Sequence, residues 1–244
     1  MSIESLDYSK ADLKIVCASL TERTWRVNPQ FKEPETVQWI DDYVNEGDVF
    51  YDVGANVGGY GLIAASRGAT VYAFEPEAMN FGRLVQNIEL NPKLKGKVYP
   101  FCVALWDRHE LLTMHMHRAE PGAASHNITE LDSVDGRRQF SQTLFTVRMD
   151  DLDTWDIPQP NHIKVDVDGY EWRVLAGATL QLEQKELKSV MCEIESGAEE
   201  SDYNRQLIFG AFKSAGLIEK GSWGRMGQPA SDGSSVDNYL FVRP

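Results

Sequence analysis

The sequence lacks the features by which nucleic-acid-binding, secreted and membrane proteins are usually recognised. Its 24 lysines and arginines are outnumbered by 37 acidic residues, and the net charge of −13 over 244 residues opposes a phosphate-backbone partner. The N-terminus carries Glu4, Asp7 and Asp12 where a signal peptide has an apolar core, and no segment approaches the roughly 18 apolar residues of a membrane span. We therefore expect a cytoplasmic protein that does not bind nucleic acid and does not span a membrane.

Cysteine is also scarce. Cys17, Cys102 and Cys192 are odd in number, far apart and set in apolar stretches, which predicts buried free thiols in a reducing compartment. With 42% hydrophobic residues, a chain of this length buries enough surface to fold without a disulfide or metal. We expect an N-terminal helical, acceptor-side segment over 1–46 and a core domain over 47–244.

Strands and helices alternate along most of the chain, the pattern of a doubly wound, mostly parallel sheet in an α/β protein. The spacing predicts helices over 35–45, 58–66, 78–90, 170–184 and 202–215. It predicts strands over 49–53, 70–74, 98–104, 163–167, 189–195, 217–219 and 238–242.

The alternation is interrupted between residues 106 and 149. Two strand-like runs, 111–117 and 144–149, flank a polar loop over 118–142. We interpret this region as a hairpin inserted over the mouth of the sheet.

A missing glycine distinguishes the first loop of the sheet from a dinucleotide site. After the apolar run 49–51 come Asp52, Gly54, Ala55, Asn56 and Gly58. A dinucleotide site has Gly-x-Gly-x-x-Gly, whose middle glycine admits a pyrophosphate, and Asn56 stands in that position. The loop therefore favours an adenosyl ligand without pyrophosphate, whose amino group meets an acid. S-adenosylmethionine fits this description, and an NAD-linked oxidoreductase is the alternative.

A second acid supports the same cofactor. Glu75, followed by Pro76, ends the next predicted strand at close to the roughly 20-residue spacing expected for the acid that binds ribose hydroxyls. A carboxylate that accepts two hydroxyl donors suits this task.

Four motifs resemble the FkbM family of S-adenosylmethionine-dependent methyltransferases. They are the segments 52–58, 74–76, 103–105 and 164–171, with Leu175-x-Gly177 and 191–194 further on. The resemblance implies a class I methyltransferase fold, which is Rossmann-like and seven-stranded with a reversed last strand. It also implies methyl transfer to a hydroxyl of a sugar, polyketide or other small metabolite, with Ala104 and Asp166 beside the cofactor. Asp168 and Tyr170 depart from the family pattern, which has Glu and a small residue there.

Several residues are candidates for catalysis. Asp166 ends the fourth strand of the core and is the first choice as base or positioning group, while Glu193, Glu195 and His126 are further candidates. An alternative is a divalent metal, Mg²⁺ or Ca²⁺, held by Asp166, Asp168 and either glutamate. The sequence does not favour this metal.

Other polar residues have simpler interpretations. Asp168 and Glu171 match a helix-capping pattern. His162 begins its strand at the end of the sheet away from the ligand, so we expect a structural role. A non-catalytic adenosyl-binding protein is a further alternative for the whole chain.

Acceptor contacts are expected from residues 1–35, 106–149 and 221–237. Trp25, Trp106 and Trp223 are candidates for stacking on a sugar or a planar acceptor.

Overall fold

A computed structural model describes residues 1–130, 140–224 and 235–244. Their strands are β1 (Ser2–Ser5), β2 (Lys14–Cys17), β3 (Val49–Val53), β4 (Thr70–Phe74), β5 (Val98–Phe101), β6 (Ala104–Leu105), β7 (Leu111–Met116), β8 (Asn127–Glu130), β9 (Phe140–Val147), β10 (His162–Val165), β11 (Ser189–Ser196), β12 (Ile218–Gly224) and β13 (Ser235–Val242). Their α-helices are α1 (Pro29–Lys32), α2 (Pro34–Tyr43), α3 (Gly59–Ser66), α4 (Ala78–Glu89), α5 (Glu171–Ala176), α6 (Thr179–Glu183) and α7 (Glu199–Ser214). A π-helical turn covers Glu22–Arg26, and 3-10 helices cover Pro92–Leu94 and Met149–Trp155.

A seven-stranded sheet forms the centre of the molecule, in the order β12-β13-β11-β10-β3-β4-β5. The pairs among β11, β10, β3, β4 and β5 are parallel, whereas β13 runs antiparallel to both of its neighbours. The predicted doubly wound sheet with a reversed last strand is therefore confirmed. No helix in the described part of the chain is long and apolar enough to cross a bilayer.

Apolar side chains cover both faces of this sheet, because successive strand residues point to opposite sides. Phe50 belongs to a core cluster with Ile40 and Leu62 on one face. Tyr51, its neighbour, belongs to a second cluster with Phe212 on the other face. The two layers fix the register of β3 and with it the position of the loop that follows.

The insertion is larger than the predicted hairpin. The strands β6-β9-β7-β8 form a four-stranded sheet, and β8 lies within the segment predicted to be a polar loop. The third core strand ends at Phe101, earlier than predicted, because Ala104 and Leu105 leave the central sheet and pair with β9. Residues 131–139 of the predicted loop lie outside the described residues.

The predicted helix over 170–184 is two helices, α5 and α6. At the break, a Cβ on Gly177 would lie 1.9 Å from the carbonyl oxygen of Trp106. Asp150, remote in sequence, accepts hydrogen bonds from the N–H groups of Leu180 and Gln181 and so caps the second helix. The hydrophobic periodicity of residues 170–184 could not predict this break, because the capping residue is distant in the sequence.

Two further expectations concern buried groups. Cys17 and Cys192 are buried free thiols, but Cys102 is exposed, because the chain leaves the sheet there. His162 is fully buried, between Ser189 Oγ at 2.8 Å and Asp48 Oδ2 at 3.2 Å. Burial lowers the pKa of His162 to about 4 despite Asp48, which agrees with a structural role.

The first loop of the sheet should tolerate no side chain at Gly54. Its φ is +82°, and a Cβ would lie 1.9 Å from the carbonyl oxygen of Asp166. We expect Gly54→Ala to lower the free energy of unfolding by at least about 3 kcal/mol in denaturant titrations. The matched control is Gly82→Ala in α4, where nothing lies within 4 Å, and it should gain about 0.5–1 kcal/mol. Equal stability of the two variants would contradict this account of the loop.

Candidate active site

A cavity of about 510 Å³ opens at the carboxyl end of the parallel strands, where ligands bind in open α/β sheets. Its walls come from the loops after β3, β4 and β10, from the insertion, and from the N-terminal segment. Of the predicted site residues, the cavity is lined by Gly54, Asn56, Glu75, Pro76, Ala104, His126 and Asp166. Asp52, Ala55, Gly58, Glu193 and Glu195 are not among the lining residues.

The loop after β3 is held by its own backbone. The N–H groups of Gly54 and Ala55 both donate to the carbonyl oxygen of Phe74, which fastens the loop to β4. Asn56 has a φ of +51°, and its side chain donates to the carbonyl oxygen of Ala123 in the insertion. A glycine at position 58 predicts a close approach of the backbone to the ligand, but the space beside Gly58 is taken by a side chain. A Cβ there would lie 2.5 Å from Leu84 Cδ1.

Glu75 is the buried acid at the end of β4, 5% exposed. Its oxygens accept the N–H of Asn56 at 2.7 Å and the N–H of Glu77 at 2.8 Å. A carboxylate has about four acceptor positions, so two remain for hydroxyl donors in the cavity. Burial raises the pKa of Glu75 to about 8, and the two backbone donors only partly offset this.

Asp166 lies beside a buried lysine. Lys164 is 2% exposed, and its ammonium donates to Asp166 Oδ2 at 2.7 Å. Burial opposes the charge on Lys164, but Asp166, Glu33 and Asp52 outweigh it and raise the lysine pKa. Asp166 is therefore held as an ion-paired carboxylate at the cavity wall.

The buried acids below the cavity only partly match the predicted metal ligands. Carboxylate oxygens of Glu33, Asp166 and Glu193 all lie within 4.8 Å of one another, whereas Asp168 is not in this group. Lys164 already supplies a cation to this cluster. The set has the oxygen chemistry that Mg²⁺ or Ca²⁺ prefers, and metal binding stays a prediction.

Asp52 lies below the loop and not in the cavity. It is 1% exposed, and a Cβ on Gly61 would lie 2.9 Å from its Oδ2. Burial raises the pKa of Asp52 to about 6, although the charge of Lys164 lowers it. A direct contact between Asp52 and a ligand stays a prediction.

Of the two residues after β10 that match the capping pattern, only Glu171 caps the helix start. Glu171 accepts the N–H groups of Val167 and Gly169, as a residue of a helix start does, and burial raises its pKa to about 8. Asp168 does not cap: its φ is +54° and its Oδ2 accepts the N–H of Ser125, 2.7 Å away in the insertion. Burial, and then Asp166, raises the pKa of Asp168.

The other candidate bases are placed differently. His126 and Asp168 line the cavity, whereas Glu193 is 4% exposed beneath it. Glu195 lies outside the lining, about 3.7 Å from where a Cβ on Gly169 would be, and 3.5 Å from Ser201 Oγ.

The N-terminal segment contributes residues that the sequence motifs do not mark. Thr21, Arg26, Phe31 and Lys32 line the cavity, and Glu33 is fully buried next to Lys32. Pro29 and Pro34 are the only local signals here, since proline favours the first turn of a helix. They predict where helices begin but not which side chains reach the site.

Only two of the three tryptophans expected to contact the acceptor lie at the cavity. Trp25 and Trp106 line the cavity, but Trp223 on β12 does not. The part of the expected acceptor loop over 225–234 lies outside the described residues.

Comparison with known proteins places this geometry in a family. The model of the methyltransferase FkbM domain matches residues 52–216. The chain is 32% identical to the hexuronic acid methyltransferase AglP of Haloferax volcanii over 187 residues, which cover 76% of this chain and 72% of that protein. The chain belongs to the FkbM methyltransferase family. It is accordingly a methyltransferase, as its motifs predict.

Solved structures agree on the fold of this FkbM methyltransferase. The methyltransferase FkbM of Methylobacillus flagellatus superposes with a TM-score of 0.52 at 13% identity, over 79% of this chain and 43% of that one. Precorrin-6y C5,15-methyltransferase of Geobacter metallireducens gives 0.50 at 12% identity, over 94% of both chains. At these identities the likeness shows the class I methyltransferase fold alone.

The raised pKa of Glu75 predicts a stability cost in the ligand-free protein. Because its folded-state pKa is about 8 against an ordinary 4.5, the stability from Glu75 is full below pH 4.5 and is lost as the pH rises to 8. We expect Glu75→Gln to match the wild type at pH 5 and to exceed it by up to ~3 kcal/mol at pH 8 in denaturant titrations. Parallel pH profiles for the two proteins would contradict the buried, protonated Glu75.

Proposed function

We propose that the chain is an S-adenosylmethionine-dependent O-methyltransferase whose acceptor is a sugar. The observation that carries this proposal is Glu75, a buried carboxyl group that faces the cavity from the end of β4 and that has two acceptor positions left when it is ionised. A ribose offers two neighbouring hydroxyl donors to such a group. The sugar acceptor is supported by the relative that acts, by its name, on a hexuronic acid.

The residues of the cavity fit this cofactor. Glu75 would hold the ribose, and the Gly54–Asn56 backbone would border the adenosine side of the cavity. The cofactor supplies an activated methyl group on a sulfonium. The chain must then place an acceptor oxygen in line with that group, and such orientation contributes roughly 7–11 kcal/mol.

The two aspartates after β10 suit different tasks. Asp166 is paired with Lys164, which stabilises the carboxylate and weakens it as a base, so we assign it to positioning the acceptor. Asp168 lines the same cavity with its pKa raised by burial, so it accepts a proton more readily. A metal is not part of this proposal, because Lys164 already neutralises charge at Asp166.

Cofactor binding should depend on Glu75. We expect Glu75→Ala to weaken S-adenosylhomocysteine binding by well over tenfold in calorimetry, since two charged hydrogen bonds are lost. Glu89→Ala, on the exposed side of α4, is the matched control and should bind as the wild type does. Unchanged affinity in Glu75→Ala would remove Glu75 from the site, and no heat in the wild type would remove the cofactor.

Catalysis should depend on Asp168 if the product is a methyl ether. Labelled S-adenosylmethionine and a panel of glycosides, including hexuronides, identify the product by mass spectrometry, and mild alkali separates a methyl ester from an ether. A hydroxyl must lose its proton, so Asp168→Asn should lower kcat by about 10²-fold or more while S-adenosylhomocysteine affinity stays within about threefold. Full turnover by Asp168→Asn on a hydroxyl would exclude Asp168 as the base.

The same assay tests the role of a metal. We expect turnover to survive dialysis against EDTA, because the proposed steps use only side chains. Loss of activity that Mg²⁺ restores would assign a cation to Glu33, Asp166 and Glu193.

A further inference from the structure

The N-terminal wall of the cavity is built on an unusual turn. Residues 22–26 form a π-helical turn, closed by the bond from Val27 N to Glu22 O at 3.1 Å. Such turns are rare and occur frequently at functional sites. Here the turn presents two successive residues, Trp25 and Arg26, to the cavity.

Buried contacts hold this turn in place. Glu22 is fully buried, pairs with Arg83 Nε at 2.9 Å and accepts the N–H groups of Ala18 and Ser19. The position of Arg26 is therefore fixed by the protein before any ligand binds, which lowers the cost of binding.

Arg26 lines the cavity without an ion-pair contact in the described residues, although its charge reaches Asp168 and lowers the pKa of that carboxyl group. Its Nε and Nη2 donate to the carbonyl oxygen of Gly122 at 3.0 and 2.8 Å. It forms no ion pair with any carboxylate within residues 1–130, 140–224 and 235–244. A guanidinium has five N–H donors, and those left over suit a planar carboxylate.

Aromatic surface lies beside this cation. Trp25 is 48% exposed and Phe31 is 61% exposed, and both line the cavity. Exposed aromatic rings at a cavity wall give a flat apolar surface for the C–H face of a sugar ring.

The charges of the cavity are also segregated. Its described acidic residues, Glu75, Asp166 and Asp168, follow strands of the central sheet, whereas its cations, Arg26 and Lys32, come from the N-terminal segment. Lys32 is already paired with the buried Glu33. Of these two cations, Arg26 is thus the one without an ion-pair contact among the described residues.

We propose that Arg26 selects an acidic sugar as acceptor by binding its carboxylate, with Trp25 as the platform for the sugar ring. This inference rests on the proposed function and adds the acceptor class and the residue that recognises it. The guanidinium holds the acid group at the N-terminal wall, which leaves the hydroxyls of the sugar for the cavity that Asp166 and Asp168 also line.

Binding separates this inference from the proposed reaction. Methyl β-glucuronide and methyl β-glucoside differ in the acid group, and each is titrated by NMR into the protein loaded with S-adenosylhomocysteine. The wild type should bind the glucuronide roughly 10- to 100-fold more tightly than the glucoside. Arg26→Gln should remove that preference and leave glucoside binding within about threefold.

Two variants control for loss of structure. Arg23→Gln changes an exposed arginine of the same turn that does not line the cavity, and it should keep the full preference. Arg26→Lys keeps the charge but not the fork, so it should keep part of the preference. Thermal unfolding and S-adenosylhomocysteine affinity report whether Arg26→Gln is folded.

The outcomes are distinguishable. Equal affinities in the wild type, no glucuronide binding at millimolar concentration, or an intact preference in folded Arg26→Gln would each overturn the role of Arg26. A preference that depends on Arg26, together with no methyl transfer to any sugar, would support the acidic ligand and contradict the proposed reaction.

Discussion

The structure depends on keeping charged and polar groups buried at the carboxyl edge of the central sheet. Lys164 is the key group, because it is almost fully buried and its ammonium is stabilised by Asp166 and neighbouring acids. Removing one partner from such a cluster leaves an uncompensated buried charge, which costs several kcal/mol in typical proteins. This cluster therefore constrains the end of β3 together with the end of β10. It also constrains Glu33, which comes from the N-terminal segment. The cavity is shaped by this electrostatic constraint as much as by packing.

Burial of acids at the site destabilises their charged forms, and the reason for the burial differs from residue to residue. Glu75 and Glu171 both have their pKa raised to about 8 by burial, but only Glu75 lines the cavity. Glu171 accepts backbone N–H groups of its own loop and does not line the cavity, so its burial serves the fold. Glu75 also accepts two backbone N–H groups but faces the cavity, so we attribute its burial to the proposed ligand binding. Burial raises the pKa of both residues, and we attribute that burial to the fold at Glu171 and to ligand binding at Glu75.

The central sheet could be predicted from sequence because its signals are local. The strands β3 and β4 match their predicted bounds, since apolar runs buried on both faces and flanking glycines mark them. The antiparallel pair β7–β9 of the insertion was predicted as a hairpin. Its strand β8 was not, because β8 lies in a polar segment that has no strand pattern of its own. On the site, Glu75 was predictable from its spacing and Asn56 from the missing glycine. Glu33 was not, since the acids beside which it lies, Asp166 and Glu193, are more than a hundred positions away in the sequence.

The negative charge of the whole chain does not oppose an acidic acceptor at binding distance. At physiological ionic strength, charges interact over about 8 Å, so most of the net charge of −13 is screened from a sugar inside the cavity. What the sugar meets is the local arrangement, in which Arg26 comes from the N-terminal segment and the acids follow strands of the central sheet. An acid group bound at the guanidinium would be kept away from Asp166 and Asp168 by like-charge repulsion, and a neutral hydroxyl would not. On this proposal, the distribution of charge in the cavity would orient the acceptor as well as select it.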